Sequence, residues 1–234
     1  MPHASDNPLG SDTGSAEMMR LTEKTGVSVR SVCADYYMVS RLVADGAPVV
    51  ESVKHLQWLI ERAALLKIRY MVLPFVDQSS LRSIQDRAAL HMVLRDLLPL
   101  VQAMDVELHL ETDLNPTDFS QFLAQHNHPY LRANYDIGNS ASLGFDPEEE
   151  LMLLGPWLGS VHVKDRVLGG GTVPLGSGSA DFPTSFTGIQ KAGFNRWYIL
   201  QAARGQDGDE VALARKNRQF VENQLASIIQ PGRN

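Results

Sequence analysis

The stretch SVHVKDRVLGGGTVPLGSG, residues 160–178, decides the fold. It begins with the apolar residues Val161 and Val163, which alternate with serine and histidine as in a strand buried on one face. The strand ends in a cluster of chargeable side chains, and a glycine-rich loop follows at once. Polar groups at the end of an apolar strand are typical of α/β proteins, whose sites lie at the carboxyl ends of parallel strands.

Similar stretches recur along the chain at regular intervals. We predict six strands, at residues 27–34, 69–75, 106–111, 132–138, 160–165 and 196–201. Helical spacing of apolar residues predicts helices at residues 15–26, 49–66, 86–104, 115–127, 146–157 and 207–229. Because strands that alternate with helices form parallel βαβ units, the sequence predicts an α/β protein with a parallel sheet.

Length and composition narrow the class of protein. A chain of 234 residues with 44% hydrophobic content is long enough for a single α/β barrel. The net charge of −6 and the lack of a basic stripe argue against nucleic acid and anionic membranes as partners. The single cysteine, Cys33, excludes an internal disulfide. The apolar runs are too short for a membrane span, and together these features favour a cytoplasmic protein.

The domain organisation is expected to be simple. Residues 1–14 are polar and rich in Gly, Ser and Asp, which predicts a flexible N-terminal segment. No linker rich in Pro, Gly or Ser divides the remainder, so residues 15–230 are predicted to form one domain. Six strands also suit an open doubly wound sheet, but no GxGxxG motif follows the first strand, and this favours the barrel.

Four successive predicted strands each carry a polar residue near the carboxyl end. These residues are Glu111, Asp136, His162 and Gln201. Parallel strands bring such ends to one face, and Glu, Asp and His are ligands for Mn²⁺, Co²⁺, Mg²⁺ or Zn²⁺. Taken alone, a Glu or Asp at a strand end is more often a helix cap or a solvated loop residue. A single His is more often a buried core residue. Four in register favour a site for one divalent metal ion.

Four motifs between residues 108 and 205 resemble a known family. LHLETDLNP, NYDIGNSASLGFDPEEELMLLG, VHVKDRVLGGGTVPLGSGSADF and YILQAARG together resemble the xylose-isomerase-like TIM-barrel proteins. Within that family they are most similar to the sugar-phosphate isomerase/epimerase branch, with its L-ribulose-5-phosphate 3-epimerases and hexulose-phosphate isomerases. The resemblance implies an eight-stranded TIM barrel whose first two βα units are absent here. We therefore expect a fragment, a natural six-strand form or a homo-oligomer that covers the gap.

The resemblance also implies roles for the four strand-end residues. Glu111, Asp136 and His162 match three metal ligands of the family, and Gln201 stands where the family has a second glutamate. In the family the two glutamates are the acid and base on opposite faces of the sugar. An amide cannot accept that proton, so Gln201 disfavours a two-base 3-epimerisation. The alternative that remains is a proton shuttle between C1 and C2 of the sugar, with Glu111 as the base. This reaction is aldose–ketose isomerisation.

Further residues are expected to contact the substrate. Lys164 shares a strand face with the ligand histidine and is expected to stabilise an enolate or a phosphate as a catalytic residue. Arg166 and Arg204 are candidates for binding a phosphate. His109 and Asn134 lie on the same strand faces as the carboxylate ligands and are predicted to bind substrate. The glycine-rich loop is expected to be a flexible cover over the site.

The function predicted from the sequence is metal-dependent isomerisation or epimerisation of a sugar or sugar phosphate through an enediolate. A non-catalytic sugar-phosphate-binding relative, or an inactive shortened paralogue, is the alternative. A third alternative is the activity of the apurinic endonucleases related to this family. That activity needs a trinuclear zinc cluster rich in histidine. Only His109 and His162 lie on predicted strands with the required facing, so DNA repair is disfavoured.

Overall fold

The computed structural model describes residues 7–205 and 208–229, and within them the chain forms ten strands and nine α-helices. The strands are β1 (Ser31–Cys33), β2 (Val43–Ala44), β3 (Ala47–Pro48), β4 (Tyr70–Phe75), β5 (Glu107–Thr112), β6 (Leu131–Asp136), β7 (Leu158–Val163), β8 (Asp165–Arg166), β9 (Thr172–Val173) and β10 (Tyr198–Leu200). The helices are α1 (Asp12–Thr25), α2 (Tyr36–Val39), α3 (Val50–Leu65), α4 (Ile84–Met104), α5 (Pro116–His126), α6 (Ile137–Leu143), α7 (Pro147–Leu154), α8 (Phe182–Lys191) and α9 (Glu210–Ile229). None of these helices has both the length and the apolar character needed to cross a membrane.

The chain divides into two compact units. The first contains the residues up to Thr112 together with His126–Leu131, and the second contains Asp113–Gln125 and the residues from Arg132 onward. The single-domain organisation of residues 15–230 stays a prediction.

The first unit is built on three parallel strands. Strands β1, β4 and β5 are neighbours in this order, and the β4–β5 register runs from Tyr70 opposite Glu107 to Phe75 opposite Thr112. The short strands β2 and β3 form an antiparallel hairpin. Every residue of β4 is buried, as expected for a strand covered on both faces.

The second unit repeats this arrangement with β6, β7 and β10. These strands are parallel and adjacent in this order, and Asp136 of β6 lies opposite His162 of β7. Their apolar side chains share one buried cluster with residues of α7, α8 and α9: Tyr135, Val161, Val163, Leu151, Phe186 and Val221. Because strand side chains alternate, Asp136 and His162 face away from that cluster.

All six predicted strands are present, which confirms the α/β class with parallel pairing. The first is much shorter than residues 27–34, because only Ser31–Cys33 pair with β4, and Val27 before them is 71% exposed. The six predicted helices are observed within a few residues of their bounds. Helices α2, α6 and α8 were not assigned from the sequence, since α2 and α6 are short and α8 follows the glycine-rich loop.

The flexible N-terminal segment at residues 1–14 stays a prediction, since residues 1–6 lie outside the described residues and regular structure is described only from residue 8 onward. Pro8–Gly10 forms a 3₁₀ turn, and α1 begins three residues earlier than predicted because the Ser11 side chain accepts a hydrogen bond from Gly14 N at 3.0 Å. The guanidinium of Arg62 holds this helix start, with Nη1 2.6 Å from Asp12 Oδ1.

Candidate metal centre

Asp136 is the last residue of β6 and also the N-cap of α6. Its Oδ1 accepts a hydrogen bond from Asn139 N at 2.8 Å, and the residue is only 4% exposed. A cap of this kind satisfies a backbone donor that the helix leaves unpaired. One carboxylate oxygen is therefore committed to the helix, and Oδ2 is the oxygen that meets the strand-end side chains.

Two cationic or potentially cationic groups face Asp136 Oδ2. The Nζ atom of Lys164 lies 2.8 Å from it, and Nδ1 of the buried His162 lies 3.8 Å from it. Burial favours the neutral carboxyl, but His162 and Lys164 outweigh it and hold the pKa of Asp136 below its ordinary value. Asp136 therefore presents an ionised oxygen in a nearly dry environment.

Gln201 lies beside the same strand end. Its backbone N–H donates to the carbonyl of Val163 at 3.1 Å, and Ile199, two residues earlier, lies opposite His162. By strand alternation Gln201 and His162 lie on the same face. The Oε1 atom of Gln201 is buried and has no hydrogen-bond partner within the described ranges. A buried amide oxygen without a partner is costly, and it is expected where a ligand completes the site.

The donors of the second unit fit a divalent metal ion. They are an ionised carboxylate oxygen of Asp136, an imidazole nitrogen of His162 and the amide oxygen of Gln201. Carboxylate, imidazole and amide oxygens suit Mn²⁺, Co²⁺, Zn²⁺ and Mg²⁺.

Glu111 and His109 belong to the first unit. Both are buried on β5, with Glu111 next to the carboxyl end of the strand. The ring of His109 stacks on Tyr70 with centroids 5.0 Å apart, and its Nε2 lies 3.3 Å from Glu107 Oε2. His109 is thus held by protein groups on two sides, and its contact with substrate stays a prediction.

The other predicted substrate-binding residues differ in their surroundings. Asn134 is buried, and its Oδ1 accepts a hydrogen bond from Ser160 Oγ at 2.6 Å. Arg166 donates from Nε and Nη2 to the carbonyl of Gly170 and from Nη1 to Asn139 Oδ1 at 2.9 Å. Arg204 is exposed. Substrate binding by these residues stays a prediction.

Asp165 is a residue whose role the sequence analysis missed. It is fully buried, and its carboxylate accepts hydrogen bonds from the backbone N–H groups of Gly176, Gly178 and Ala180 at 2.9, 2.8 and 3.2 Å. A Cβ at Gly178 would lie 2.2 Å from Asp165 Oδ1, so this contact requires glycine. The glycine-rich loop is therefore anchored at three amides, whereas the sequence predicted a flexible cover. An acidic residue directly between a buried strand and a glycine-rich loop was the available signal.

The sequence of the chain matches a known family and known proteins. A family model described as Xylose isomerase-like TIM barrel matches residues 2–224. L-ribulose-5-phosphate 3-epimerase UlaE of Salmonella paratyphi C (strain RKS4594) is 29% identical over 102 residues, which are 43% of this chain and 36% of that protein. The match therefore spans about a third of the length of that relative.

Solved structures resemble the chain over most of its length. An L-ribulose 3-epimerase superposes with a TM-score of 0.75 at 17% identity, covering 97% of this chain and 86% of the other. A xylose isomerase-like TIM barrel protein from Mycobacterium smegmatis in complex with magnesium gives 0.71 at 15% identity, covering 94% and 80%. The IOLI protein with a zinc atom gives 0.72 at 14% identity, covering 93% and 82%. These superpositions confirm the predicted fold class.

The Asp165 anchor leads to a prediction about the loop. Asp165→Asn removes the negative charge and leaves a single acceptor oxygen for three backbone N–H groups. We therefore expect the free energy of unfolding to decrease by about 1–3 kcal/mol. Amide hydrogen exchange at Gly176 and Gly178 should become faster, as measured by NMR. Asp146→Asn, at an exposed N-cap where asparagine caps as well as aspartate, is the matched control. Unchanged protection of both glycines in the Asp165 variant would contradict the assigned anchor.

Proposed function

Since the chain belongs to the xylose isomerase-like TIM-barrel family, we propose that it is a divalent-metal-dependent isomerase or epimerase of a sugar or sugar phosphate. The observation that supports this most is the group at the ends of β6, β7 and β10. There the ionised Asp136 faces His162, and the buried amide oxygen of Gln201 lacks a protein partner among the described residues. A named 3-epimerase among the relatives supports the same substrate class.

We assign the metal ligands as Glu111, Asp136, His162 and Gln201. The first three supply carboxylate and imidazole donors and are all buried. When bound, a divalent cation polarises the sugar carbonyl and its neighbouring hydroxyl and stabilises the negative charge of the enediolate. Mn²⁺, Co²⁺, Mg²⁺ and Zn²⁺ all suit these donors. Of the solved structures resembling the chain, one is a magnesium complex and another holds a zinc atom.

The proton transfer is assigned to Glu111. Its carboxylate takes a proton from C1 of the ketose, next to the C2 carbonyl, and returns it to C2 on the same face, while the proton of the O1 hydroxyl passes to O2 and a C1 carbonyl forms. Gln201 cannot act as a second base, because a neutral amide does not accept a proton at physiological pH. The residues present therefore favour exchange between C1 and C2, which interconverts an aldose and a ketose, over inversion at C3.

Lys164 is assigned as the electrostatic partner of this reaction. Its ammonium already lies 2.8 Å from Asp136 Oδ2, so positive charge is held next to the proposed ligand set. A fixed cation at this point stabilises negative charge on an enolate oxygen or on a substrate phosphate. We propose that Arg166, Arg204, His109 and Asn134 contribute to substrate binding. A homo-oligomer, one of the three alternatives left open by the sequence, stays a prediction.

A non-catalytic sugar-phosphate-binding relative is the second candidate. The observation that favours it is Gln201, an amide where a carboxylate base is expected from the family resemblance. The two candidates differ in a measurable way, because only the enzyme exchanges a carbon-bound proton of the sugar.

The metal assignment predicts the composition of the purified protein. After dialysis against a mixture of Mn²⁺, Co²⁺, Mg²⁺ and Zn²⁺, elemental analysis should find about one equivalent of divalent metal per chain. Asp136→Ala and His162→Ala should each reduce this content strongly, because each removes a ligand. Asp146→Ala, at an exposed helix cap, should retain it. Full metal content in both ligand variants would refute the ligand set.

The proton-transfer assignment predicts where deuterium enters the sugar. In D₂O, ¹H NMR should show deuterium entering at C1 of a ketose or ketose phosphate, or at C2 of the aldose formed from it, whereas a 3-epimerase would exchange C3. Glu111→Gln should slow this exchange about 10²–10⁴-fold, the usual contribution of a general base. Glu149→Gln, at an exposed position of α7, is the matched control. Exchange in the Glu111 variant at the wild-type rate would remove Glu111 as the base, and a wild type that neither exchanges the proton nor forms the aldose would favour the binding protein.

A further inference from the structure

Glu150 on α7 is a buried carboxyl group that the proposed chemistry does not use. It is 6% exposed, and its Oε2 accepts a short hydrogen bond from Ser140 Oγ on α6. Its carboxylate also accepts a hydrogen bond from the Tyr135 hydroxyl on β6, and Ser185 of α8 bonds the same hydroxyl. Four polar side chains from four elements therefore meet in the layer between strands and helices.

The two hydrogen-bond donors to Glu150 flank the proposed metal ligand along the chain. Tyr135 is the residue before Asp136, and its ring belongs to the buried apolar cluster on the helix side of the strands. Ser140 comes four residues after Asp136, in the helix that the Asp136 side chain caps through Asn139 N. One carboxyl group thus ties down the chain on both sides of Asp136.

We propose that Glu150 is a positioning residue, whose carboxyl group sets the orientation of the Asp136 carboxylate by holding Tyr135 and Ser140. The inference rests on the proposed function, in which Asp136 binds the metal. If α6 shifts, the Asn139 N–H that fixes Asp136 Oδ1 shifts with it, and Oδ2 turns away from His162 and Lys164. Side chains that hold a metal ligand in place commonly change metal affinity 10–100-fold when they are removed.

The electrostatics of the buried cluster support a specific role for this carboxyl group. Burial raises the pKa of Glu150 to about 7, with a further increase from the charge of Asp136, while the Ser140 and Tyr135 hydroxyls oppose the shift. Tyr135 has its own pKa raised by burial, and the pKa of Asp136 is lowered, so neither titrates near neutrality. A carboxyl group that is costly to bury suggests that its position has a use beyond packing.

The test compares Glu150→Ala, which removes both hydrogen bonds, with Glu150→Gln, which keeps the shape and an acceptor. The first readout is amide hydrogen exchange at Asn139 in metal-free protein, and the second is the dissociation constant for Co²⁺ from a spectroscopic titration. Glu150→Ala should speed the exchange about tenfold or more and weaken Co²⁺ binding about 10–100-fold. Glu150→Gln should remain within about threefold of wild type in both. Glu149→Ala, at the exposed neighbouring position, is the control.

Each outcome has a defined meaning. Asn139 exchange and Co²⁺ binding both unchanged in a folded Glu150→Ala protein would overturn the proposal. An equally large increase in amide hydrogen exchange throughout α8 would also overturn it, because it would indicate a general loosening of the fold. If the alanine variant does not fold, Ser140→Ala, which removes one of the two hydrogen bonds, takes its place. If the wild type binds no Co²⁺, the proposed function fails, while Asn139 exchange still decides the positioning role.

The raised pKa of Glu150 predicts a pH-dependent stability. Because the folded protein binds the proton up to about pH 7 and the unfolded chain releases it near 4.5, the free energy of unfolding decreases as pH rises between these values. In Glu150→Gln this contribution is absent. The difference in stability between wild type and Glu150→Gln, from urea unfolding at several pH values, should therefore fall from pH 4.5 to 7 and then level off. A difference independent of pH would contradict the buried carboxyl.

Discussion

The two carboxylate oxygens of Asp136 have different partners, and this arrangement is the constraint on which the second unit depends. Oδ1 caps α6 through Asn139 N, and Oδ2 faces Lys164 and His162. A carboxylate that begins a helix cannot rotate freely, because rotation would leave a helix donor unpaired. The hydrogen bond from Asn139 N to Oδ1 therefore keeps Oδ2 directed toward Lys164 and His162. The local requirement to cap α6 thus orients the oxygen that we propose as the metal ligand.

Strand alternation separates this chemistry from the packing that supports it. Tyr135, Val161 and Val163 face the helices and join the apolar cluster, while Asp136 and His162 face the other side. The two faces remain connected, because Glu150 holds Tyr135 and Ser140 on the helix side and these residues flank Asp136. A buried polar network is compatible with this layer only when its members satisfy one another, as the hydroxyl groups around Glu150 do.

The loop after β7 shows the same principle on a longer segment. Glycine gives the loop the freedom to approach a carboxylate closely, and Asp165 uses that freedom by accepting three backbone N–H groups. Arg166 reinforces the arrangement by binding Gly170 within the loop and Asn139 in α6. The loop is thereby linked to the helix that Asp136 caps, so the strand end, the helix start and the loop form one connected set of hydrogen bonds.

The strand and helix patterns were enough to predict six strands and their parallel pairing, because these periods are local properties, and the observed register places Asp136 opposite His162 as expected. The family followed from motifs between residues 108 and 205. The partners of individual side chains could not be predicted in this way. Asp165 anchors amides 11–15 residues away, and Glu150 meets Ser140 and Tyr135 from another element. Such contacts form only when the helices and strands pack together. The surroundings of a residue, more than its type, then decide whether it titrates, binds a ligand or holds another residue in place.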